Sequence, residues 1–223
     1  MTEIVVIIPV LNRPERVEPL LASLAASERA AKLRPLFVCS PGDEREIEAV
    51  SASDADWMLL PIGRGPGDYA RKINRAAYHA QTMAEWLFLG ADDLCFCPGW
   101  ADIALQAAIA DFIEVVGTND LGNPAVISGA QSTHSLVRSS YLERGTIDER
   151  GKLLHEGYEH NWVDNEFVAT ARSRGVYIFA ANAHVEHLHP SWGKGQADST
   201  YELGMRHYHQ DAQLFRAREK LWL

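Results

Sequence analysis

Strand and helix alternate four times in roughly the first ninety residues, and this rhythm constrains the fold more than any other property of the chain. Ile4-Val5-Val6-Ile7-Ile8 is a continuous β-branched run, the pattern of a strand buried on both faces. Pro9 to Arg13 breaks it. Pro14 to Ala31 then places Val17, Leu20, Leu21 and Leu24 at helical spacing, behind a proline suited to a first turn. Leu36-Phe37-Val38-Cys39 reads as a second strand. After the Ser40-Pro41-Gly42-Asp43 turn, Glu44 to Ser51 reads as a short acidic helix. Trp57 to Leu60 is a third strand, Tyr69 to Met83 a helix, and Trp86-Leu87-Phe88-Leu89 a fourth strand that stops at Gly90-Ala91-Asp92-Asp93. The alternation predicts an α/β fold with a mostly parallel sheet flanked by helices. Ligands of such sheets sit outside the carboxyl ends of the strands, here the segments after Ile8, Cys39, Leu60 and Leu89.

The second half is less regular. Trp100 to Ala110 and Asp164 to Arg174 predict helices; Val115-Val116, Ser135 to Val137 and Tyr177 to Ala180 predict short strands. Thr200 to Leu221 reads as one or two helices. With no repeat and no linker in sight, a single domain over 1–223 is expected: a first half 1–98, a mixed half 99–199 and a helical tail 200–223.

An apolar content of 47% supports a globular core, and a net charge of −9 argues against non-specific nucleic-acid binding through a basic surface. No apolar run approaches the ~18 residues of a membrane helix, and the start lacks the basic and long apolar regions of a secretory signal. Cys39, Cys95 and Cys97 are too few for a disulfide framework, so a cytoplasmic protein is expected. Cys95 and Cys97 lack the second pair of a zinc ribbon and read as core or strand residues.

Four segments carry candidate chemistry. Gly63-Arg64-Gly65-Pro66-Gly67 lies between a strand and a helix, as a phosphate-cradling loop would, yet no Gly-Lys-Ser/Thr follows; a plain turn is the alternative. Asp92-Asp93 puts two like charges at a strand's carboxyl end. A hard divalent ion, Mg²⁺ or Mn²⁺, would relieve that repulsion, as would solvent around a simple acidic turn. On an extended segment His187 and His189 share a face, with His184 on the other, so the pair could ligate a metal or divide between core and surface. Asp164 and Glu166 open a helix, where the macrodipole favours acids; a catalytic reading makes Asp164 a general base facing the ligand edge.

In order and spacing these pieces resemble the GT-A glycosyltransferases, specifically the family-2-like inverting type. The segments that carry the likeness are Val6-Ile7-Ile8-Pro9-Val10-Leu11-Asn12-Arg13, Leu87-Phe88-Leu89-Gly90-Ala91-Asp92-Asp93, and Val163-Asp164-Asn165-Glu166-Phe167 with Arg172-Ser173-Arg174-Gly175. The tail, with Trp192-Gly193-Lys194-Gly195, is closer to small glycosyltransferase-like proteins of phages and actinobacteria; a phage-encoded chain would act in the host cytoplasm. The resemblance implies a nucleotide-sugar donor, most simply UDP-linked, bound in the 1–98 half. Pro9, Asn12 and Arg13 would border the nucleotide, Asp43 would contact base or ribose, and Tyr69, Lys72 and Asn74 would sit beside it. Asp92 would lie near the donor diphosphate, and Asp92, Asp93 and His187 or His189 near Mn²⁺ or Mg²⁺. Asp164 would be the catalytic base. The acceptor hydroxyl could belong to a glycan, a lipid, a protein or a modified nucleobase. Two positions depart from the family pattern: Gly90 replaces the first acid of D-x-D, and Asp43 follows Ser-Pro-Gly instead of an acidic pair. A nucleotidyltransferase is the rival enzyme, although the loop after Ile8 lacks its Gly- and Arg-rich signature. A non-catalytic glycosyltransferase-like binding protein is the other rival; Gly90 speaks for it and Asp164 against.

Overall fold

Every side chain from Ile4 to Ile8 is fully buried, because β1 (Glu3–Pro9) runs through a sheet covered on both faces. The computed structural model describes residues 2–61 and 67–223. From β1 the chain passes through α1 (Val17–Ser27), β2 (Lys32–Cys39), α2 (Glu44–Ser51), β3 (Asp56–Leu59), α3 (Asp68–Ala80), β4 (Trp86–Leu89) and β5 (Leu94–Phe96). It continues through α4 (Trp100–Ala107), β6 (Val115–Asn119), α5 (Pro124–Ile127), β7 (Ser135–Arg138), α6 (Val163–Ser173), β8 (Tyr177–His187), α7 (Ser199–Arg206) and α8 (Tyr208–Arg218). Among the described residues no helix is long and apolar enough to cross a membrane.

Among these residues the strands join in the order β3-β2-β1-β4-β7-β6-β8-β5. β1 to β4 pair parallel with one another, as the alternation predicts. β7 is antiparallel to both β4 and β6, and β5 is antiparallel to β8, which gives the mixed second half. The two-residue period of a strand divides the core. Ile4, Val6 and Ile8 pack with Leu20 and Leu24 of α1, Val50 of α2 and Trp100 of α4. Val5 and Ile7 pack on the opposite face with Ile73 and Ala77 of α3 and Phe167 and Ala171 of α6.

Three expectations change. The helix expected over 14–31 is a 3-10 turn, Pro14–Arg16, followed by α1, which stops at Ser27. β2 begins at Lys32 because its first half pairs with β1 from Glu3 onward. The strand expected over 177–180 runs on to His187, paired first with β6 and then with β5. The terminal helix divides at His207.

The strand order places the site. From β1 the chain builds outward to β3 and then returns to lay β4 on the other side of β1. The carboxyl ends of β1 and β4 therefore flank a topological switch point, where open α/β sheets bind ligands.

Candidate active site

The loop after β1 is pinned from two sides. Asn12, at φ +57°, donates its N–H to Asp43 Oδ2 at 2.9 Å, and Arg13 N–H donates to Glu46 Oε2 at 2.6 Å. Burial pushes the Glu46 carboxyl above its ordinary range. From α3, the buried Lys72 ammonium donates to Val10 O at 2.7 Å and pairs with Asp68 at 2.8 Å. Lys72 thus holds the loop from below. Pro9 is buried as the last residue of β1, and Asn12 is the exposed residue of the turn.

The loop after β4 approaches β1 so closely that a Cβ at Gly90 would stand 2.8 Å from the Ile7 carbonyl oxygen. An acid at that position has no room for its side chain. The carboxylates that remain, Asp92 and Asp93, are both buried and have different partners. Asp92 Oδ1 accepts from Arg13 at 2.8 Å. Asp93 Oδ2 accepts from the Tyr201 hydroxyl at 2.7 Å and lies 3.3 Å from His187 Nε2, while Asp93 Oδ1 finds no hydrogen-bond partner among the described residues. Burial opposes ionisation of both. The charge of His187 and the Tyr201 hydroxyl hold Asp93 below the usual carboxylate range, and the Asp93 charge adds to burial in pushing Asp92 up.

His187 ends β8. Burial lowers the imidazole's proton affinity, but Asp93 more than compensates and its pKa is raised. His134 packs edge-on against it, with ring centroids 5.2 Å apart, and donates Nδ1–H to Leu89 O at 3.0 Å. His189 lies past the strand, where its Nδ1 accepts from Ser191 N–H at 3.1 Å and its ring meets that of Tyr201. His187, not His189, touches Asp93. Among the described residues no three His, Cys, Asp or Glu side chains converge as a ready metal cage. The unpartnered Asp93 oxygen beside His187 is nevertheless a donor pair suited to Mn²⁺ or Mg²⁺, with ligand oxygens completing the shell.

Asp164 enters from the first turn of α6. Trp162 at φ +67° turns the chain into that helix, and its indole packs on Tyr208 and Phe215 of α8. Burial pushes the Asp164 carboxyl up to about 6, against two backbone N–H bonds and the His187 charge. The Tyr69 hydroxyl donates to Gly90 O at 3.2 Å; burial and the charges of Asp164 and Asp93 raise its pKa. Asp93 and Asp164 thus both influence Tyr69 and His187, which links the four residues electrostatically.

Solved structures share this architecture. A mannosyltransferase from Pyrobaculum calidifontis in complex with GDP-Man and Mn²⁺ matches with a TM-score of 0.63 at 18% identity, over 86% of this chain and 58% of its own. Glucosyl-3-phosphoglycerate synthase from Mycobacterium tuberculosis, with Mn²⁺, UDP and glucosyl-3-phosphoglycerate, gives 0.61 at 13% over 91% of this chain and 75% of its own. TarS 1–349 of S. aureus with UDP-GlcNAc gives 0.60 at 14% over 82% and 57%. The fold is that of the GT-A glycosyltransferases. This chain therefore spans less than two thirds of the length of the mannosyltransferase and of TarS. No protein-family model matches the sequence, and neither does any curated protein.

Within the GT-A fold, two expected site residues also hold backbone. Asn74 is buried, donating to Leu154 O and Glu156 Oε1 and accepting from Leu153 and Leu154 N–H, so it secures the 153–156 segment. Lys72 is the other, as above. Of the glycine-rich loop, residues 63–66 lie outside the described residues. Gly67, at φ +69°, starts α3 where a Cβ would stand 2.5 Å from Glu156 O. Four residues escaped the sequence reading: Arg16, Asp120, Asp198 and Tyr201. Asp120 is an acid at the carboxyl end of β6, and the rule that found Asp92 would have found it. Its Oδ1 accepts from Gly122 and Asn123 N–H, and its carbonyl holds His187 N–H at 3.1 Å. Asp198 has the signature of a helix cap, and nothing in the sequence joins it to Arg13.

Proposed function

We propose that this chain is a metal-dependent glycosyltransferase that moves a sugar from a UDP-linked donor to an acceptor hydroxyl with inversion, Asp164 serving as general base. The observation that carries the reading is a carboxyl raised to about 6 across a switch-point crevice from the Asp93–His187 pair. The GT-A neighbours solved with GDP-Man, UDP or UDP-GlcNAc, two of them with Mn²⁺ as well, support the donor class and the cation.

In this reading Asn12 and Asp43 border the base and ribose, Tyr69 flanks the donor, and Arg13 beside Asp92 faces the diphosphate. Asp93 and His187 would hold a divalent ion, which when bound would supply positive charge beside the leaving diphosphate. Asp164 takes the proton of the acceptor hydroxyl. The oxygen then bonds to the anomeric carbon from the face opposite the diphosphate, and the carbon–oxygen bond to the diphosphate breaks with its electron pair. The test is a panel of UDP- and GDP-sugars with Mn²⁺, read as release of the nucleoside diphosphate, alongside Asp164→Asn. Release from at least one donor that the variant abolishes is expected. Equal release by the variant removes Asp164 from the mechanism. A pyrophosphate product from sugar phosphate and nucleoside triphosphate would replace the whole reading.

A further inference from the structure

The segment between β8 and α8 folds back over the crevice and places a carboxylate on its arginines. Asp198 caps α7, accepting from Thr200 and Tyr201 N–H at 2.9 and 3.1 Å. The same carboxylate takes both outer donors of Arg13: Nε to Oδ2 at 2.8 Å and a terminal nitrogen to Oδ1 at 3.0 Å. With its remaining terminal nitrogen on Asp92, every nitrogen of the Arg13 guanidinium makes a hydrogen bond. Arg16 stands beside it, 3.7 Å from Asp198 and 3.8 Å from Asp93, and donates to the Tyr201 hydroxyl at 3.2 Å. Tyr201 lies under both arginines, its ring centroid 4.1 Å from the Arg13 guanidinium carbon. Thr200 Oγ1 donates to Leu11 O and ties the segment to the loop after β1.

A guanidinium fork that accepts a carboxylate edge-on accepts two phosphate oxygens in the same way. Arg13 is buried, so it is held in place before any ligand arrives, whereas the Asp198 side chain is about a third exposed. We infer that Arg13 and Arg16 form the diphosphate-binding pair of the crevice, and that Asp198 is an internal anion which occupies this pair and is exchanged for the ligand's phosphates. The inference rests on the nucleotide-sugar reading above and adds to it an anion subsite that includes Arg16 and a self-competing strap, residues 193–206. The exchange replaces the single negative charge of one carboxylate with the larger charge of a diphosphate beside the same two arginines.

The experiment is calorimetric titration of inorganic pyrophosphate and of UDP, with and without Mn²⁺, into the wild type, Asp198→Asn, Asp198→Ser and Arg16→Gln. Asparagine and serine both keep the helix cap, and serine is too short to reach Arg13. Removing the competing anion is expected to tighten pyrophosphate and UDP about tenfold in both Asp198 variants, and Arg16→Gln to weaken both by a similar factor. Uridine, which has no phosphate, is expected to bind all four proteins alike. If the Asp198 variants bind pyrophosphate and UDP no tighter than the wild type, the competing-anion inference is overturned, whether or not the wild type binds UDP. Tighter pyrophosphate binding by those variants, with no response to any nucleotide, would uphold the anion subsite and overturn the nucleotide-sugar reading instead.

Discussion

His187 Nε2 lies 3.3 Å from Asp93 Oδ2, joining the end of β8 to the loop after β4 at the mouth of the switch-point crevice. The two residues lie 94 positions apart in the chain, and the contact singles out one histidine of three. His187→Ala is expected to weaken Mn²⁺-dependent UDP binding by at least about tenfold, whereas His189→Ala, whose Nδ1 is committed to Ser191, changes it little. Donor turnover is expected to stop in chelator and return with Mn²⁺. Equal losses in the two histidine variants would mean that both ligate.

As the proposed base, Asp164 carries a pH prediction. A base must be unprotonated to accept a proton, so kcat/KM is expected to be flat above pH 7 and to fall tenfold per unit below about 6. Asp164→Asn is expected to lower kcat by about 10²–10⁴-fold. A profile with no inflection between pH 5 and 7 would argue against this assignment.

The same shift has a consequence for stability. The folded carboxyl titrates near 6 against an ordinary 3.8, so folding favours the protonated form. Its contribution is complete below 3.8 and is lost as pH rises through about 6. Asp164→Asn is therefore expected to melt higher than the wild type at pH 7.5, with the gap closing towards pH 4. A gap that is constant with pH would show that the carboxyl is not perturbed.

Gly90→Ala drives a methyl into the Ile7 carbonyl, 2.8 Å from where its Cβ must sit. A cost of about 1–3 kcal/mol is expected, read as a Tm lower by several degrees. Gly90→Asp, which restores the familiar acid, is expected to be worse still. A Gly90→Asp protein with native Tm and tighter Mn²⁺ binding would contradict the steric account.

Asp211 of α8 is buried and accepts the N–H groups of Glu159, His160 and Asn161 at 2.8, 3.0 and 2.7 Å. These bonds hold the loop that delivers Asp164. Asp211→Ala is expected to cost about 2–4 kcal/mol in denaturant unfolding and to lower kcat more than it raises KM. Loss of stability with unchanged kcat would limit Asp211 to a structural part.

The elements that were legible had strong local signals. β1 and β4 are uninterrupted apolar runs because both faces of the sheet are covered, and α2 matches its expected bounds because a turn and an acidic first turn mark it. The sequence pattern overextends α1 because the Ala-rich stretch to Ala31 keeps helical propensity, while the pairing that makes Lys32 to Pro35 a strand comes from β1. The backbone bonds of Asn74 and Lys72 were not legible, because their partners at Leu154 and Val10 are distant in the chain.

Local chemistry by itself determined the alternation, the parallel half-sheet, and the placing of Asn12, Asp92 and Asp93 after strand ends, since periodicity and turn residues act over a few positions. It also determined that Asp164 opens a helix. Only the tertiary structure decided that Asp93 takes His187, that Asp92 takes Arg13, and that Asp198, 185 residues away, closes on the same guanidinium. Those pairings depend on which charges burial brings together, and desolvation makes a buried charge find its partner wherever in the chain that partner lies.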